Sequence, residues 1–420
     1  MEEKAWIISV NMGYGHQRTA FPLRDLAPEG KVINANDYPG IPEKDRKIWQ
    51  FTKRFYEFIS NLKKIPIVGQ FVFFLFDQFQ RILSFYPKRD LSKPNLQLKQ
   101  TFSLIKKGWG RNLIEKLKVK PLPLISTFFT PAFMAEYFNY PGEIYCVVCD
   151  ADISRTWAPL KPKESKIKYF APTSRVVERL KLYGVKKENI FLTGYPLPVD
   201  NLETLKKELG YRILNLDPKR KYFQHYEVLI KKYLGTLPET ADHPLTIMFA
   251  VGGAGAQKEI GIKIIQSLFK KIKNGEIKII LVAGIKKEVK EYFEEKIKKL
   301  KLNENKNIEI IYEKDINNYF QKFNLTLRKT DILWTKPSEL SFYTALGIPI
   351  IIAPPIGSQE EFNKRWLIQI GSGIVQKNPN YTNQWLFDLL DSGWFAEAAL
   401  QGFIEVEKFG AINIKKIISK

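Results

Sequence analysis

The chain alternates short apolar runs with amphipathic segments over most of its 420 residues. In the second half, "PLTIMFAVGG", "IKIILVAG" and "IPIIIAPP" are rich in β-branched residues and lack polar alternation, which is typical of strands buried on both faces of a parallel sheet. Charged segments such as "KKEVKEYFEEKIKKL" separate these runs and have the apolar spacing of surface helices. This alternation predicts open parallel sheets with helices on both faces.

The first half follows the same pattern with longer interruptions. Strands are predicted over Ala5–Val10 and near Lys31–Asn34, with a helix between them that kinks at Pro22. "PLPLISTFF" and "GEIYCVVCD" predict two further buried strands. The stretch "KYFAPTSRVVERLKLYGVKKENIFLTGYP" predicts strand, helix and strand, with Ser174 as the helix N-cap and Gly184 as its C-cap.

The length of the chain exceeds one ordinary hydrophobic core, so two domains are expected. We predict an N-terminal Rossmann-like domain over residues 1–198 and a second one over residues 245–382. Residues 199–244 are interpreted as a linker with a helical insertion near Gln224–Leu234, and residues 383–420 as terminal helices that pack back. The predicted fold class is α/β, with two Rossmann-like parallel sheets facing across a cleft.

The charge balance points to an anionic partner. Lys and Arg number 66 against 44 Asp and Glu, a formal net charge of +22, which is typical of proteins that bind nucleic acid, acidic membranes or phosphorylated substrates. Residues 46–120 alone carry +13 and are dense in Phe and Tyr, the composition of a helical element that docks on anionic lipid. A buried core helix is the alternative for this region. No nucleic-acid-binding motif accompanies the charge.

Two short stretches restrict the interpretation of the sequence: one argues against a membrane-spanning helix in the basic, aromatic region, and the other argues against a zinc site at the cysteines. The longest uncharged run, Ile65–Phe76, has 12 residues and contains Pro66, whereas a membrane span needs about 20. Cys146 and Cys149 form a C-x-x-C in a strand-like run, without a second pair for zinc. They are predicted to be buried free thiols in a reducing cytosol. The opening "MEEKAWIISV" enters a strand directly, so no signal peptide is expected.

Two glycine-rich loops follow predicted first strands. "MGYGHQRTA" carries Gly13, Gly15 and His16, and "AVGGAGAQ" carries Gly252, Gly253 and Gly255. Such turns let backbone N–H groups approach an anion or a sugar closely. The first loop lacks the last glycine of G-x-G-x-x-G, because Arg18 stands there. His16 is either a functional group at the mouth of the domain or a cap of the turn.

The stretch between Trp334 and Leu367 is the richest in candidate ligand-binding residues. Thr335 and Ser338 can donate to phosphate, and Glu339 can accept from ribose hydroxyls. "PPIGSQEEFN" places further polar side chains at a helix start: Gln359, Glu360, Glu361 and Asn363. One of these two glutamates is expected to compensate the helix dipole and the other to contact ligand.

The motifs together resemble those of GT-B glycosyltransferases. "GYGHQRTA" resembles the N-terminal G-G-G-H-R-x-S/A loop of the monogalactosyldiacylglycerol synthases, the processive diacylglycerol glucosyltransferases and the peptidoglycan N-acetylglucosaminyltransferase. The run from "CVVCDADISRTW" to "LTGYPL" is similar to their acceptor-side segment, and "GGAGAQ", "TKPSE" and "GIPIIIAPPIGSQEEFN" to their donor block. The likeness covers residues 1–40, 143–200 and 245–375 in the right order.

This resemblance implies a function and a set of roles. A nucleotide-sugar, expected to be a UDP-sugar, would be bound by the second domain, and a hexosyl group would pass with inversion to a membrane lipid or lipid-linked acceptor. Inversion is favoured because the E-x₇-E of many retaining GT-B enzymes is absent, with glycine at position 347. His16 or Asp150 would take the acceptor proton, and the donor would contact the loops above: Gly13, Gly15, Gly252, Gly253, Gly255, Thr335, Ser338, Glu339, Gln359, Glu360 and Asn363.

Neither cofactor nor metal is expected. "DAD" at Asp150–Asp152 imitates the D-x-D metal motif of the GT-A fold, but that fold has no second glycine-loop sheet. The expected partners are the donor, a lipid acceptor and an anionic membrane surface, without nucleic acid, for a cytoplasmic protein peripheral to the inner face of the plasma membrane. The alternatives are a GT-B-fold nucleotide-sugar epimerase and a non-catalytic, basic membrane-binding protein on a degenerate GT-B scaffold.

Overall fold

The computed structural model describes residues 4–62, 82–252, 255, 257–355 and 358–419. The chain forms two compact units, each with one six-stranded, all-parallel sheet. This fits the predicted α/β GT-B class. The first unit comprises Met1–Leu197, Ile356–Asn363 and Phe409–Lys420, and the second comprises Pro198–Pro355 and Lys364–Lys408.

The first sheet has the strand order β2-β1-β3-β4-β5-β6. Successive strands pair in parallel, for example Ile7 opposite Ile125 between β1 and β3. Its strands are β1 Trp6–Ser9, β2 Ile33–Asn34, β3 Leu124–Ser126, β4 Ile144–Val147, β5 Lys168–Ala171 and β6 Ile190–Leu192. Strand β2 pairs with one edge of β1, and β3 pairs with the other edge. The strand order therefore reverses between β1 and β3.

Among the described residues of the first half, six α-helices accompany this sheet. They are α1 Tyr14–Ala20, α2 Glu43–Leu62, α3 Leu96–Lys106, α4 Arg111–Lys118, α5 Phe129–Tyr137 and α6 Ser174–Leu182. A 3₁₀ helix, Phe21–Leu26, takes over where Pro22 prevents α1 from continuing. Helix α6 starts one residue earlier than predicted, because the hydroxyl of Thr173, not Ser174, caps it by accepting from the Val176 N–H at 3.2 Å.

Part of the basic, aromatic region is helical, as α2, α3 and α4. The uncharged run Ile65–Phe76 lies outside the described residues. Over the part of the chain that the structure describes, no helix combines the length and apolarity that crossing a bilayer requires.

The second sheet has the order β12-β11-β10-β7-β8-β9 and reverses between β7 and β10. Its strands are β7 Leu245–Ala250, β8 Ile277–Gly284, β9 Ile308–Tyr312, β10 Ile332–Thr335, β11 Ile350–Ile352 and β12 Gly373–Val375. All six residues of β7 are buried, as expected for a central strand covered on both faces. Strand β12 was not predicted, because three residues that begin with glycine show no periodicity.

The helices of the second unit differ from the prediction in three places. The helix predicted over Gln257–Lys273 breaks at Leu268, and a 3₁₀ helix, Glu339–Leu346, replaces the predicted α-helix before Gly347. The segment interpreted as a linker with a helical insertion near Gln224–Leu234 forms that helix, over Lys221–Leu234, and an unpredicted one, Leu202–Leu216. The α-helices are α7 Leu202–Leu216, α8 Lys221–Leu234, α9 Lys258–Ser267, α10 Phe269–Lys273, α11 Lys287–Lys299, α12 Ile316–Leu327, α13 Ser358–Gln369, α14 Thr382–Asp391 and α15 Trp394–Glu405.

Helix α7 is built into the second unit by a buried arginine. The Arg212 guanidinium donates to the carbonyls of Leu327, Thr330 and Leu346 at 2.9, 2.7 and 2.9 Å. Gly347, at φ +71, leaves room for the Leu209 side chain, which a β-carbon would meet at 2.5 Å. Because carbonyls at the ends of α12 and of the 3₁₀ helix are satisfied by α7, this segment is not a linker.

The last helix, α16 Gly410–Ile418, returns to the first unit, as predicted for the terminal helices. Ala411, Ile414 and Ile418 join the core cluster that holds Ile7 and Ile125. Gly410 allows this approach, since a β-carbon there would lie 2.2 Å from the Tyr195 carbonyl oxygen.

Candidate functional site

Each sheet has one point where the strand order reverses, and the candidate residues follow the strands that flank it. In open α/β sheets, ligands bind in the crevice outside the carboxyl ends of the strands at such a point. In the first unit, the Gly13–His16 loop follows β1, and Thr127 and Phe128 follow β3. In the second unit, Gly252 follows β7 and Lys336 follows β10.

The turn after β1 depends on Gly13. This residue is the N-cap of α1, with φ 104° and ψ 179°, a backbone conformation that residues with a β-carbon rarely adopt. Gly15 lies in the first turn of α1, and its carbonyl accepts from the Thr19 hydroxyl at 2.8 Å. Thr19 in turn contacts the Tyr195 hydroxyl at 3.0 Å, which anchors the helix in the unit.

His16 is held in one orientation and one tautomer. Its Nδ1 lies 2.8 Å from the Thr127 carbonyl oxygen. A carbonyl can only accept, so Nδ1 carries the proton and the neutral ring keeps its basic lone pair on Nε2. The Cys149 Sγ lies 3.5 Å from the same Nδ1. A neutral His16 in this position is arranged to accept a proton at Nε2.

Aromatic side chains surround the imidazole. Phe128 meets the His16 ring edge-on with centroids 4.8 Å apart, and the Trp157 centroid is 6.5 Å away. Phe128 also packs on Phe129 at 4.2 Å, and Trp49 lies 6.5 Å from Phe128. His16 itself is half-buried. A base beside such an apolar wall acts where water is partly excluded, which strengthens its electrostatic interactions.

Asp150 is held by Asn363. The Asn363 Nδ2 donates to Asp150 Oδ1 at 3.2 Å, and its Oδ1 accepts from the Ala151 N–H at 2.8 Å. Asn363 is fully buried and belongs to the first unit. The sequence interpretation assigned this amide to the donor, whereas the structure uses both its ends to hold the Asp150–Ala151 backbone and carboxylate.

The second aspartate of "DAD" is a structural residue. Arg179 donates to both carboxylate oxygens of Asp152, from Nε and Nη2, at 2.8 Å each, and the two side chains are 1% and 7% exposed. This bidentate pair occupies the oxygens that a D-x-D metal site would offer. Among the described residues, no group of three or more His, Cys, Asp or Glu side chains is placed to hold a metal ion.

Two buried tyrosines fix the rest of this segment. The Tyr183 hydroxyl donates to the Ile153 carbonyl at 2.7 Å, and the Tyr169 hydroxyl donates to the Trp157 carbonyl at 2.9 Å. Burial raises the pKa of both phenols, so they remain protonated donors at neutral pH. Asp150 and Trp157 therefore stand on a backbone that is preorganised by Arg179, Tyr169 and Tyr183.

The two cysteines are buried free thiols, as predicted. Burial raises the pKa of the Cys146 thiol, so this group is a protonated, unreactive part of the core.

In the second unit, Lys336 is a candidate that the sequence interpretation did not select. A β-carbon on Gly252 would lie 2.4 Å from the Lys336 Cε and 3.2 Å from its Nζ. The loop turns back at Gly255, whose N–H donates to the Gly252 carbonyl at 2.7 Å and whose φ is +66. Gly253 lies outside the described residues. The signal available in the sequence was a lysine directly after a buried strand.

The remaining predicted donor residues are placed as follows. Thr335 is buried at the end of β10 and its hydroxyl donates to the Ala250 carbonyl at 3.2 Å, so it ties β10 to β7. Ser338 is the half-buried N-cap residue of the 3₁₀ helix, followed by the buried Glu339. Gln359 and Glu360 are half-buried near the start of α13, in the stretch that belongs to the first unit.

Comparison with known proteins gives one domain family and relatives that match over about three quarters of this chain or more. Residues 238–307 and 298–394 match a family described as a domain of unknown function, DUF6938. The processive diacylglycerol β-glucosyltransferase of Bacillus subtilis (strain 168) is 22% identical over 325 residues, 76% of this chain and 74% of that protein. The enzyme of the same name from Bacillus pumilus (strain SAFR-032) is 22% identical over 383 residues, 89% of this chain and 83% of that one.

Among solved structures, MurG of Acinetobacter baumannii aligns with a TM-score of 0.49 and 14% identity, covering 99% of both chains. The resemblance to GT-B glycosyltransferases that the sequence motifs predicted is thus confirmed by relatives that span three quarters of the chain.

Proposed function

We propose that this protein is an inverting, metal-independent hexosyltransferase that moves a sugar from a UDP-sugar to a membrane lipid or lipid-linked acceptor. The observation that carries the proposal is the hydrogen bond from His16 Nδ1 to the Thr127 carbonyl, which leaves the basic nitrogen of the ring as Nε2. The printed names of the relatives, diacylglycerol β-glucosyltransferases, support the reaction class and the lipid acceptor.

The step is a single displacement. His16 Nε2 takes the proton of the acceptor hydroxyl as that oxygen attacks the anomeric carbon from the face opposite the nucleotide. The bond from that carbon to the diphosphate oxygen breaks, UDP leaves with the electron pair, and the configuration inverts. A positioned general base contributes about 10²–10⁴-fold to such a step. Asp150, fixed by Asn363, is the second candidate for proton transfer or for orienting the acceptor.

We assign the donor to the second unit. Its glycine loop at Gly252 and Gly255, together with Ser338 and Glu339, follows the strands at the point where the sheet order reverses. Backbone N–H groups and short-helix termini there would stabilise the negative charge that develops on the leaving diphosphate. No metal is needed for that role in this proposal.

The acceptor is expected to reach the first unit from a membrane. Phe51, Tyr86, Leu96 and Val119 are 68%, 69%, 53% and 87% exposed, and all lie in the region with a net charge of +13. Exposed apolar side chains among Lys and Arg suit the interface of an anionic bilayer. We therefore place the protein on the cytoplasmic face of the plasma membrane as a peripheral protein.

A nucleotide-sugar thermal-shift screen tests the donor class. UDP and UDP-sugars are expected to raise the unfolding temperature, because a ligand at 100 times its dissociation constant stabilises the folded state by about 2.7 kcal/mol. ADP-, GDP- and CMP-sugars serve as matched controls and are expected to have no effect. Stabilisation by another nucleotide class would contradict the donor assignment, and no response to any of them would favour the non-catalytic alternative.

A further inference from the structure

The two central strands of the second sheet, β7 and β10, lead into a glycine and a lysine that lie close together. Strand β7 runs into Gly252, strand β10 runs into Lys336, and the strands pair in register with Thr335 opposite Ala250. Because the sheet order reverses between these strands, their carboxyl ends flank the crevice in which an open α/β sheet binds its ligand.

Gly252 accommodates the lysine side chain. A β-carbon at this position would be 2.4 Å from the Lys336 Cε, closer than real contacts allow, and 3.2 Å from the Nζ, so the end of the lysine side chain would have to move. Its backbone torsion is not in the left-handed region, unlike that of Gly255 at φ +66. The backbone conformation at 252 therefore does not require glycine, and what the missing β-carbon provides is room for the Lys336 side chain to pass at this distance.

This arrangement places the Lys336 ammonium group close to Gly252. The aliphatic part of Lys336 lies along the backbone at Gly252, and the residue as a whole is half-buried. The Gly255 N–H donates to the Gly252 carbonyl at 2.7 Å. A lysine is a compact point charge with three donors, which suits the non-directional recognition of phosphate oxygens.

We infer that Lys336 is the side-chain cation that binds the diphosphate of the nucleotide donor and stabilises it as the leaving group, with Gly252 kept small so that the ammonium can lie over the loop. The inference deepens the proposed function and rests on it. It gives the second unit a fixed positive charge at the position where a metal-dependent transferase would use a divalent ion.

Calorimetric titration of UDP and of uridine separates the diphosphate from the nucleoside. For Lys336→Met we expect UDP to bind about 10- to 100-fold more weakly than to the unaltered protein, the scale of one charge-assisted contact, while uridine binds equally well to both. The salt dependence of UDP binding should also weaken. Gly252→Ala keeps the charge but displaces it, so a smaller loss of UDP affinity is expected; Lys336→Arg should retain part of it.

Lys263→Met is the matched control. Lys263 is an exposed lysine on α9, the helix that follows the loop, and its removal changes the net charge equally without touching Gly252. Equal UDP affinity in Lys336→Met and the unaltered protein would overturn the inference and leave the proposed function standing. An unaltered protein that binds no UDP would overturn both. If Lys336→Met unfolds, Gly252→Ala and Lys336→Arg decide the question in the same titration.

Discussion

Replacing His16 by alanine is expected to lower the rate of sugar transfer by about 100- to 10,000-fold, the usual contribution of a positioned general base. The physical reason is the tautomer. Since Nδ1 donates to the Thr127 carbonyl at 2.8 Å, Nε2 is the nitrogen that can take the acceptor proton, and alanine removes it. Binding of UDP, which we assign to the second unit, should not change. The measurement is kcat for transfer beside the UDP dissociation constant.

Two amide substitutions separate catalysis from structure. In His16→Asn the side-chain N–H can replace Nδ1 and keep the hydrogen bond to Thr127, but nothing replaces Nε2. We expect this variant to be folded and as inactive as His16→Ala. His16→Gln places an amide near the Nε2 position, which is not basic, and should be equally impaired. Near-normal kcat in His16→Asn would show that the ring serves only to hold the loop, and Asp150→Asn would then become the variant to test.

Replacing Asp152 by alanine is expected to destabilise the first unit by about 3–5 kcal/mol, because the Arg179 guanidinium would remain buried without its carboxylate. The pair is bidentate, at 2.8 Å on each oxygen, and Arg179 is 1% exposed. The loss should appear as a lower urea midpoint in the transition followed by tryptophan fluorescence.

Two controls show where that loss comes from. In the double variant Asp152→Leu with Arg179→Met the unpaired charge is gone, so much of the stability should return. Glu164→Ala breaks the exposed pair with Lys161, whose side chains are 69% and 74% exposed, and should shift stability by about 0.5 kcal/mol or less. If Asp152→Ala were as mild as Glu164→Ala, the buried pair would not be what holds this segment.

The Asp152–Arg179 pair also links stability to the site. Asp150 and Trp157 lie on the same stretch of backbone, which Arg179, Tyr183 and Tyr169 hold from beneath. We expect Asp152→Ala to reduce kcat as well, through displacement of these residues. The "DAD" motif therefore has two different aspartates, one at the site and one beneath it.

Most of the fold could be predicted because its central strands are buried on both faces. A run such as Leu245–Ala250 is fully buried, carries only Thr246 as a polar side chain and has no polar alternation, so its apolar continuity identifies it. The exceptions are short or locally ambiguous. Three-residue β12 has no period, and in the "TS" sequence before α6 either hydroxyl can cap, so the backbone geometry decides for Thr173.

Helix α7 shows a different limit. Its mixed charge and nearby prolines suggested a linker, yet Arg212 is buried and bonded to three carbonyls. From sequence alone, a charged residue is expected to be exposed to solvent, because burying it without partners is costly. Only the folded chain shows that three backbone carbonyls accept hydrogen bonds from Arg212.

The sequence located the candidate site, but it did not show the role of each residue in it. The glycine loops and His16 were identified because glycine and histidine are informative in a βα turn. Thr335 and Asn363 were assigned to the donor on residue type, whereas their partners are the Ala250 carbonyl and the Asp150–Ala151 segment. Lys336 stands in the "TKPSE" stretch that resembles the donor block, but it was not selected, because the sequence does not show that its side chain passes close to Gly252.

Transfer of labelled sugar from UDP-sugars to lipid tests the central claim most directly. The protein would be incubated with radiolabelled UDP-glucose, UDP-galactose or UDP-N-acetylglucosamine and anionic vesicles containing diacylglycerol or a lipid-linked acceptor, and the organic phase counted. We predict a labelled glycolipid with inverted anomeric configuration, formed with the unaltered protein and lost in His16→Asn. Conversion of the UDP-sugar into its epimer without any acceptor, and no label in the lipid, would contradict the account.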